Sequence, residues 1–395
     1  MLNPKGQGST PAPLGTAPTV EPQPLAEPAS FAPQPRREPA LVRLTVEAPA
    51  VGPVAATDPR KRALIVIPTL NEARLIAALI ARMLDDDGLA DPLLVVADGG
   101  STDGTCEIVR EIVRRDPRVR LISNPGRLQS AGLNLAAASV GADRPWLVRV
   151  DAHADYPKNY ASSLIAEALS TGASSVVVSM LTVGTTPFQR AAAAAQNSWL
   201  GAGGAPHRVV GEGRWVDHGH HALFSLAAFE AAGGYDETFS HNEDAEFDLR
   251  LTKQGGRIWL TDKVLVGYYP RATPGALWKQ YFSYGKGRAR TALKHYAPLK
   301  YRQALPLAVA PAALGAVVSP LYWPLMVPAL AWTLSSLTFG VALTVRKGDG
   351  ATLLAGPAAM IMHLAWSTGF WTQLMAHGGR RSASELVAPS KPAAS

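Results

Sequence analysis

Short apolar runs alternate with amphipathic segments four times near the start of the chain, and this alternation constrains the fold most. The apolar runs are partly β-branched, as is typical of buried parallel strands, and they cover residues 63–67, 93–97, 119–123 and 146–150. The segments between them have the apolar spacing of helices and are joined by short links. Such alternation predicts βαβ units with right-handed crossovers, and therefore an α/β domain built on a parallel sheet.

The segment that precedes these strands has a different composition. Residues 1–59 are rich in Pro and Ala, contain few aromatic residues and show no apolar periodicity. We predict that they are disordered, because such a segment cannot bury enough apolar surface to offset the entropy of ordering. They also lack the basic start and apolar centre of a signal peptide. The single cysteine, Cys106, excludes an intrachain disulfide and fits a reducing cytosol.

The C-terminal part of the chain is dominated by two long apolar runs, at 304–345 and 353–376. Each exceeds the roughly 20 residues that cross a bilayer, which predicts two or three transmembrane helices within 303–376 and a disordered tail at 377–395. Prolines interrupt the first run, so it forms either two spans or a re-entrant piece and one span. The two alternatives differ in the sides of the membrane on which they place Arg346-Lys347 and Arg380-Arg381.

The net charge of +7 is unevenly distributed. No Asp or Glu occurs between Asp262 and Asp349, whereas Lys and Arg are frequent there up to the first apolar run. Basic residues directly before hydrophobic spans mark the cytoplasmic face of a membrane protein and attract anionic lipid headgroups. We therefore predict basic membrane-interface helices at 271–302, membrane lipids rather than nucleic acid as partners, and a cytoplasmic position for the domain that precedes them.

Polar clusters follow the predicted strands at the ends where ligands collect in an α/β sheet. They are Pro68-Thr69-Leu-Asn-Glu72, Asp98-Gly-Gly-Ser-Thr-Asp103 and Asp151-Ala-His153, and a fourth cluster, His241-Asn-Glu243-Asp244, opens a later helix. Such clusters converge on one crevice. The GxGxxG and GxxxxGK[ST] patterns are both missing, which disfavours a Rossmann dehydrogenase or a P-loop enzyme.

Two of these clusters carry the chemistry, and each also has a structural interpretation. Asp151 and His153 point the same way if the segment is extended, so they could hold one divalent cation, although a polar turn after a strand has the same pattern. Glu243 and Asp244 are candidate acids and bases, although acids in the first turn of a helix also favour its dipole. Histidines at 218, 220 and 221 lack zinc-site spacing and are either acceptor-site residues or structural.

Together the motifs resemble those of family 2 glycosyltransferases with the GT-A fold, over residues 62–290. Within that family, three stretches are similar to the ExoA-type glucosyltransferases of succinoglycan and related exopolysaccharide synthesis. They are Asn124-Pro-Gly-Arg127-Leu-Gln129-Ser-Ala-Gly-Leu-Asn134, Arg149-Val-Asp151-Ala-His153-Ala and Tyr284-Gly-Lys286-Gly-Arg288. The resemblance implies a GT-A domain, the Rossmann-like nucleotide-diphospho-sugar transferase fold, at 60–270, with a C-terminal α-helical transmembrane region.

The resemblance also implies roles for individual residues. Asp244 would be the catalytic base of an inverting transfer, and Glu243 would orient it. Asp151-Ala-His153 takes the place of the family's Asp-x-Asp metal motif, so that Asp151 and His153 would bind a cation that neutralises the leaving diphosphate. The residues expected to bind the nucleotide sugar are Pro68, Thr69, Glu72, Asp98, Arg127 and Asp151. Gly99 stands where the family often has a second acid, and His153 where it has an Asp.

In functional terms, the resemblance implies a membrane-anchored inverting hexosyltransferase of exopolysaccharide biosynthesis, in a bacterial inner membrane with its catalytic domain in the cytoplasm. It would move glucose from UDP-glucose to a polyprenyl-diphosphate-linked oligosaccharide, with other exopolysaccharide-assembly proteins as further partners. One alternative is a processive polysaccharide synthase, although the Gln-x-x-Arg-Trp signature of those enzymes is absent at Gln280. Another is a catalytically inactive sugar-nucleotide-binding or scaffold protein, which the departures at Gly99 and His153 keep open.

His153 predicts a metal preference. Imidazole is a good ligand for Mn²⁺ but a poor one for Mg²⁺, which prefers oxygen. We therefore expect membranes that contain the protein to release UDP from UDP-sugars faster with Mn²⁺ than with Mg²⁺, with lipid extract as the acceptor. Equal rates with the two ions would count against His153 as a metal ligand.

Overall fold

A computed structural model describes residues 58–141, 143–203, 212–297, 299 and 301–387 of the chain. Most of the segment predicted to be disordered at the N-terminus, residues 1–57, lies outside the described residues, as do residues 388–395 of the predicted tail. The chain enters the fold through a short 3₁₀ helix, Pro59–Lys61, which Asp58 caps by accepting a hydrogen bond from the Arg60 N–H group.

The described residues form an eight-stranded sheet with the order β3-β2-β1-β4-β7-β5-β8-β6. Its strands are β1 (Ala63–Thr69), β2 (Leu93–Asp98), β3 (Val119–Ser123), β4 (Trp146–Arg149), β5 (Ser175–Thr182), β6 (Arg214–Val216), β7 (His220–Ser225) and β8 (Ile258–Tyr268). The parallel pairing predicted for the first four strands is confirmed, since β1 pairs parallel with β2 and β4, and β2 with β3. The sheet as a whole is mixed, because β7 is antiparallel to both β4 and β5.

Helices cover both faces of this sheet and continue beyond it. They are α1 (Ile76–Leu84), α2 (Thr105–Arg115), α3 (Gln129–Val140), α4 (Tyr160–Thr171), α5 (Pro187–Gln196), α6 (Trp199–Ala202), α7 (Leu226–Ala231), α8 (Glu243–Lys253), α9 (Pro274–His295), α10 (Tyr301–Leu307), α11 (Val309–Val318), α12 (Val327–Lys347) and α13 (Ala355–Val387). Short 3₁₀ helices, Trp323–Met326 and Gly350–Leu354, precede the last two.

The sheet separates two apolar cores, because alternate residues of a strand point to opposite faces. In β1, Ile65 and Ile67 join the core that contains the apolar residues of α1 and α4. Leu64 and Val66 join the other core, with α3, α7 and α8. The strands in the middle of the sheet are therefore apolar on both sides, which is why they appear in the sequence as continuous apolar runs.

The C-terminal helices contain two segments that are long and apolar enough to cross a membrane, Trp323–Lys347 and Gly350–Gly378. The apolar window of the first is 11% buried, whereas that of the second is 50% buried. A shorter apolar helical segment, Leu305–Val318, precedes them. Residues 377–387, predicted to belong to a disordered tail, are helical and continue α13. A helix already formed gains one hydrogen bond for each further residue, so it extends past the end of its apolar part.

Helices α9 and α13 are in backbone contact with each other at two glycines. A Cβ atom at Gly285 would overlap the carbonyl oxygen of Trp366, and one at Gly369 would overlap the carbonyl oxygen of Phe282. Small residues let helix backbones approach closely, and a larger side chain here would force the helices apart. This glycine contact joins α9, which follows the last strand of the eight-stranded sheet, to α13, the last helix of the chain.

We predict that Gly285→Ala destabilises the protein by about 1–3 kcal/mol, because the added methyl group overpacks the contact between α9 and α13. Thermal unfolding of the purified full-length protein in detergent measures the change. Gly275→Ala is the matched control, since Gly275 lies on the same helix with no atom within 4 Å of a built Cβ, and it should be neutral or slightly stabilising. Equal melting temperatures for the two variants would contradict the proposed contact.

Candidate active site

The loops that follow β1 and β2 are joined by hydrogen bonds. Asn71, in the left-handed region with φ +59°, donates its backbone N–H to Ser101 Oγ at 2.8 Å, and its Oδ1 accepts the N–H of Thr102 at 2.8 Å. The N–H of Glu72 donates to Thr105 Oγ1 at 2.9 Å. Asn tolerates the left-handed conformation and bonds backbone groups easily, so it suits this position. The two loops therefore form one surface at the ends of their strands.

Asp98 is fixed within this surface. Its carboxylate is buried and accepts the backbone N–H groups of Gly100 at 2.8 Å and Ser101 at 3.0 Å. Burial raises the pKa of Asp98, but the hydrogen bonds from Ser101 and Gly100 outweigh it and leave the pKa below its usual range. The exposed Arg127, with φ +56°, lies over the same loop, since a Cβ at Gly100 would stand 3.9 Å from its guanidinium.

Arg149 of β4 lies at the centre of the site. Its side chain is 4% exposed and donates from Nε to Asp151 Oδ1 at 3.0 Å, and from Nη1 to Asp244 Oδ1 at 2.7 Å. Its Nη2 donates to Gln129 Oε1 at 2.8 Å, and Glu243 Oε1 is 3.6 Å from Nη1. A guanidinium has five N–H donors in a planar fork, which allows one cation to bind several acceptors at once. The candidate metal carboxylate and the candidate base thus share one buried cation.

The sequence-based prediction assigned no role to Arg149. The available signal was a charged residue within the otherwise apolar strand 146–150, because a buried Arg needs partners for its charge.

Tyr235 holds Asp244 from a second direction. Its hydroxyl donates to Asp244 Oδ1 at 2.8 Å, while its ring packs in an aromatic cluster with Phe224, Phe229 and Phe247, at centroid distances of 6.0, 5.6 and 5.2 Å. Burial, and then the charge of Asp244, raise the pKa of Tyr235 well above its usual range, so the hydroxyl stays protonated and donates. The orientation of Asp244 is therefore fixed by the core of the domain. No local pattern in the sequence indicates this role of Tyr235.

Glu243, the neighbour of Asp244, is in a different electrostatic state. Both residues begin α8 after Asn242, which adopts the left-handed conformation with φ +66°. Burial, and then the charge of Asp244, raise the pKa of Glu243 to about 7, although Arg149 opposes the shift. Near neutral pH Glu243 is therefore partly protonated. Two adjacent acids with different environments are a common arrangement at sites of proton transfer.

Asp151 and His153 lie together at the end of β4, each with a further partner. Asp151 Oδ2 is 3.7 Å from His220 Nε2, and the half-exposed His153 has its Nδ1 3.5 Å from Glu72 Oε1. Burial raises the pKa of Asp151, but the positive charges of Arg149 and His220 outweigh it, so the pKa is lowered. The structure thus places Glu72 beside His153, and Asp151 beside His220, one of the histidines with two alternative interpretations.

The donor set fits a divalent cation only in part. Among the residues that the structure describes, no group of three His, Cys, Asp or Glu side chains could enclose a metal ion. Asp151 and His153 offer a carboxylate and an imidazole, a combination that suits Mn²⁺ and softer ions. These residues fit a cation that takes its remaining ligands from water and from the oxygens of a bound diphosphate, as metals in phosphate-binding sites commonly do.

The other predicted histidines differ in their placement. His218 Nδ1 lies 2.6 Å from Oδ2 of the buried Asp248 on α8, whereas the side chain of His221 lies outside the described residues. Asp155 pairs through its backbone with Gly267 of β8, which ties the loop after β4 to the sheet. The histidines therefore differ in placement: His220 borders the site, whereas His218 has a structural contact with α8.

Comparison with known proteins shows the family of the chain. The family described as "Glycosyl transferase family 2" matches residues 64–233. "Succinoglycan biosynthesis protein ExoA" of Rhizobium meliloti (strain 1021) is 53% identical over 312 residues, 79% of this chain and 94% of the relative. A "dolichyl N-acetyl-alpha-D-glucosaminyl phosphate 3-beta-D-2,3-diacetamido-2,3-dideoxy-beta-D-glucuronosyltransferase" of Methanococcus voltae is 22% identical over 59% of this chain and 74% of its own.

A solved structure shares the fold. The "Mannosyltransferase PcManGT from Pyrobaculum calidifontis in complex with GDP-Man and Mn2+" has a TM-score of 0.51 and 20% identity, and the match covers 80% of this chain and 88% of the other. This chain belongs to glycosyltransferase family 2. The predicted family, the α/β GT-A fold class and the enzyme class are thereby confirmed.

The raised pKa of Glu243 predicts a pH effect on stability. An acid whose pKa is higher in the folded state than in the unfolded state binds its proton more tightly when folded, so stability falls as pH rises between the two values. Between about pH 4.5 and 7, the wild-type protein should lose more stability than Glu243→Gln. Chemical denaturation of the full-length protein at a series of pH values measures this. Glu230→Gln, at an exposed position on α7, should behave like the wild type. A Glu243→Gln curve parallel to the wild-type curve would contradict the assignment.

Proposed function

We propose that the chain transfers glucose from UDP-glucose, with inversion, to a polyprenyl-diphosphate-linked oligosaccharide during exopolysaccharide assembly. The observation that carries the proposal is the shared cation Arg149, which joins Asp151 at the diphosphate end of the site to Asp244 at the acceptor end. The 53% identity to a protein named for succinoglycan biosynthesis supports the product class.

We assign the reaction steps of this transfer to the residues of the site as follows. Asp244 takes the proton of the acceptor hydroxyl as the oxygen attacks the anomeric carbon from the face opposite the nucleotide. The new C–O bond forms while the bond from the anomeric carbon to the diphosphate oxygen breaks, and UDP leaves with that electron pair. Arg149 and Tyr235 keep the Asp244 carboxylate in one orientation, which favours a near-attack geometry. Glu243 sets the local charge beside the base.

On the donor side, the ionised Asp98 can accept the imide N–H of uracil in addition to its loop hydrogen bonds, because a carboxylate has about four lone-pair sites. Thr69, at the end of β1, lies beside Asp98 in the sheet. We assign Pro68, Thr69 and Glu72 to the same crevice, and the exposed Arg127 to the diphosphate oxygens. A divalent cation bound by Asp151 and His153 would neutralise the charge that develops on the leaving diphosphate. We also propose that this site prefers Mn²⁺ to Mg²⁺, because His153 supplies an imidazole ligand.

The acceptor is proposed to be lipid-borne because of the C-terminal helices. Two of them are long and apolar enough to cross a membrane, and the chain has no acidic residue between Asp262 and Asp349. Basic residues next to apolar spans favour the cytoplasmic side of the inner membrane, where nucleotide sugars are found. Anionic membrane lipids and other assembly proteins are the further partners that this placement allows.

Asp244→Asn tests the function. Loss of a general base lowers turnover by roughly 10²–10⁴-fold, so UDP release from UDP-glucose by membranes with lipid extract as acceptor should fall by at least about 100-fold. Asp262→Asn, which removes a carboxylate paired with Lys263 on β8, is the control and should retain activity.

The same assay run with UDP-glucose, UDP-galactose and GDP-mannose identifies the donor. Equal turnover by Asp244→Asn and the wild type would overturn the base assignment. If the wild type releases nucleotide from none of the donors, the inactive binding or scaffold alternative replaces the proposal.

A further inference from the structure

A basic pocket lies beside the active site, at the junction of the sheet domain with the C-terminal helices. Its lining includes His241 from the loop before α8, Lys286 and Arg290 from α9, and Gln373 from α13. None of these residues has a role in the chemistry described above. The pocket is therefore separate from the nucleotide crevice but opens next to the residues that begin α8.

Helix α9 is fixed directly against the loop that leads to the candidate base. A Cβ at Gly287 would stand 2.5 Å from the carbonyl oxygen of His241, so only glycine permits this approach. The side-chain amide of Asn242 donates to Thr291 Oγ1 of α9 at 2.8 Å. A group bound by α9 in this pocket is therefore held close, along the chain, to Glu243 and Asp244.

The cations of the pocket lack acidic partners. Within the described parts of the chain, no carboxylate oxygen lies within 4.0 Å of a nitrogen of Lys286 or Arg290. Lys294 lies about one turn beyond Arg290 on α9. It differs because it pairs with Asp236 at 2.8 Å and Glu246 at 2.6 Å. The ammonium group of Lys286 is thus available to an external anion, Arg290 adds a fixed positive charge beside it, and Lys294 holds the fold.

The contacts of Arg290 and the electrostatic surroundings of His241 show that the pocket is positively charged and that its guanidinium is held in place. Arg290 donates from Nη2 to Thr238 Oγ1 at 2.6 Å and stacks 4.4 Å from the centroid of Phe239, which fixes its guanidinium. Burial, and then the charges of Arg271, Lys279 and Lys286, lower the pKa of His241. The positive charges of several side chains therefore converge at His241, and the lowered pKa keeps the imidazole of His241 neutral near pH 7.

We propose that this pocket binds the phosphate group through which the acceptor saccharide is attached to its lipid. Lys and Arg side chains around a polar pocket match the oxygens of a phosphate or diphosphate. The pocket also borders α13, the more buried of the two candidate spans, so a lipid chain attached to the phosphate can follow apolar surface. The saccharide on the other side of the phosphate then extends towards Asp244. This inference rests on the proposed function and adds the location of the acceptor's anionic group.

Direct binding to full-length protein tests the pocket. Tritiated farnesyl diphosphate, a short polyprenyl diphosphate, is titrated into the detergent-solubilised protein in the presence of saturating UDP, which occupies the nucleotide crevice. A charge-assisted hydrogen bond contributes about 1.5–3 kcal/mol, so Lys286→Gln should weaken binding by roughly tenfold or more. UDP affinity should not change. Wild-type affinity of Lys286→Gln for farnesyl diphosphate would overturn the proposal.

The control separates a phosphate site from general attraction to anionic lipid. Arg346→Gln removes an exposed cation at the end of α12, outside the pocket, and should bind farnesyl diphosphate like the wild type. Equal losses in the two variants, or an equal loss of Lys286→Gln binding to phosphatidylglycerol vesicles, would show non-specific attraction and overturn the site. Because this readout needs no turnover, its failure is distinct from an enzyme that releases nucleotide from no donor.

Discussion

The buried guanidinium of Arg149 is the interaction on which the site depends. Without it, Asp151, Glu243 and Asp244 would be mutually repelling acids in a region with little water, and a buried charge without a partner costs several kcal/mol. Since one cation serves two groups with different tasks, their charges are coupled. When a proton reaches Asp244, Arg149 is left with less negative charge at that end and stabilises negative charge more strongly near Asp151.

The second organising feature is helix α9, which contacts both the active-site loop and the last helix of the chain. Glycines at 285 and 287 permit these two approaches within one turn and on roughly opposite faces of the helix, so no side chain of these two residues separates the backbone from either partner. The position of α9 is therefore constrained by α13 on one side and by the loop before α8 on the other.

Much of the fold could be predicted from the sequence, because continuous apolar runs identify the central strands and polar clusters follow three of them. Asp98 and Asp151 were predicted as site residues in this way and Asp244 from the acid pair that opens a later helix, and their roles stay predictions. The antiparallel insertion of β7 between β4 and β5 was not, since local periodicity carries no information on pairing partners. The role of Tyr235 was missed for a related reason: it depends on packing against Phe224 and Phe247, which are distant in the sequence.

The contact between α9 and α13 also closes a loop of chain. Helices α10, α11 and α12 lie between two segments that are fastened to each other, so this apolar hairpin is anchored at both ends. Such an anchor acts as a spacer of fixed length. In the proposed membrane setting, such an anchor would hold the sheet domain and its crevice close to the lipid surface, because the chain leaves the sheet domain and is fastened back to it at the same helix.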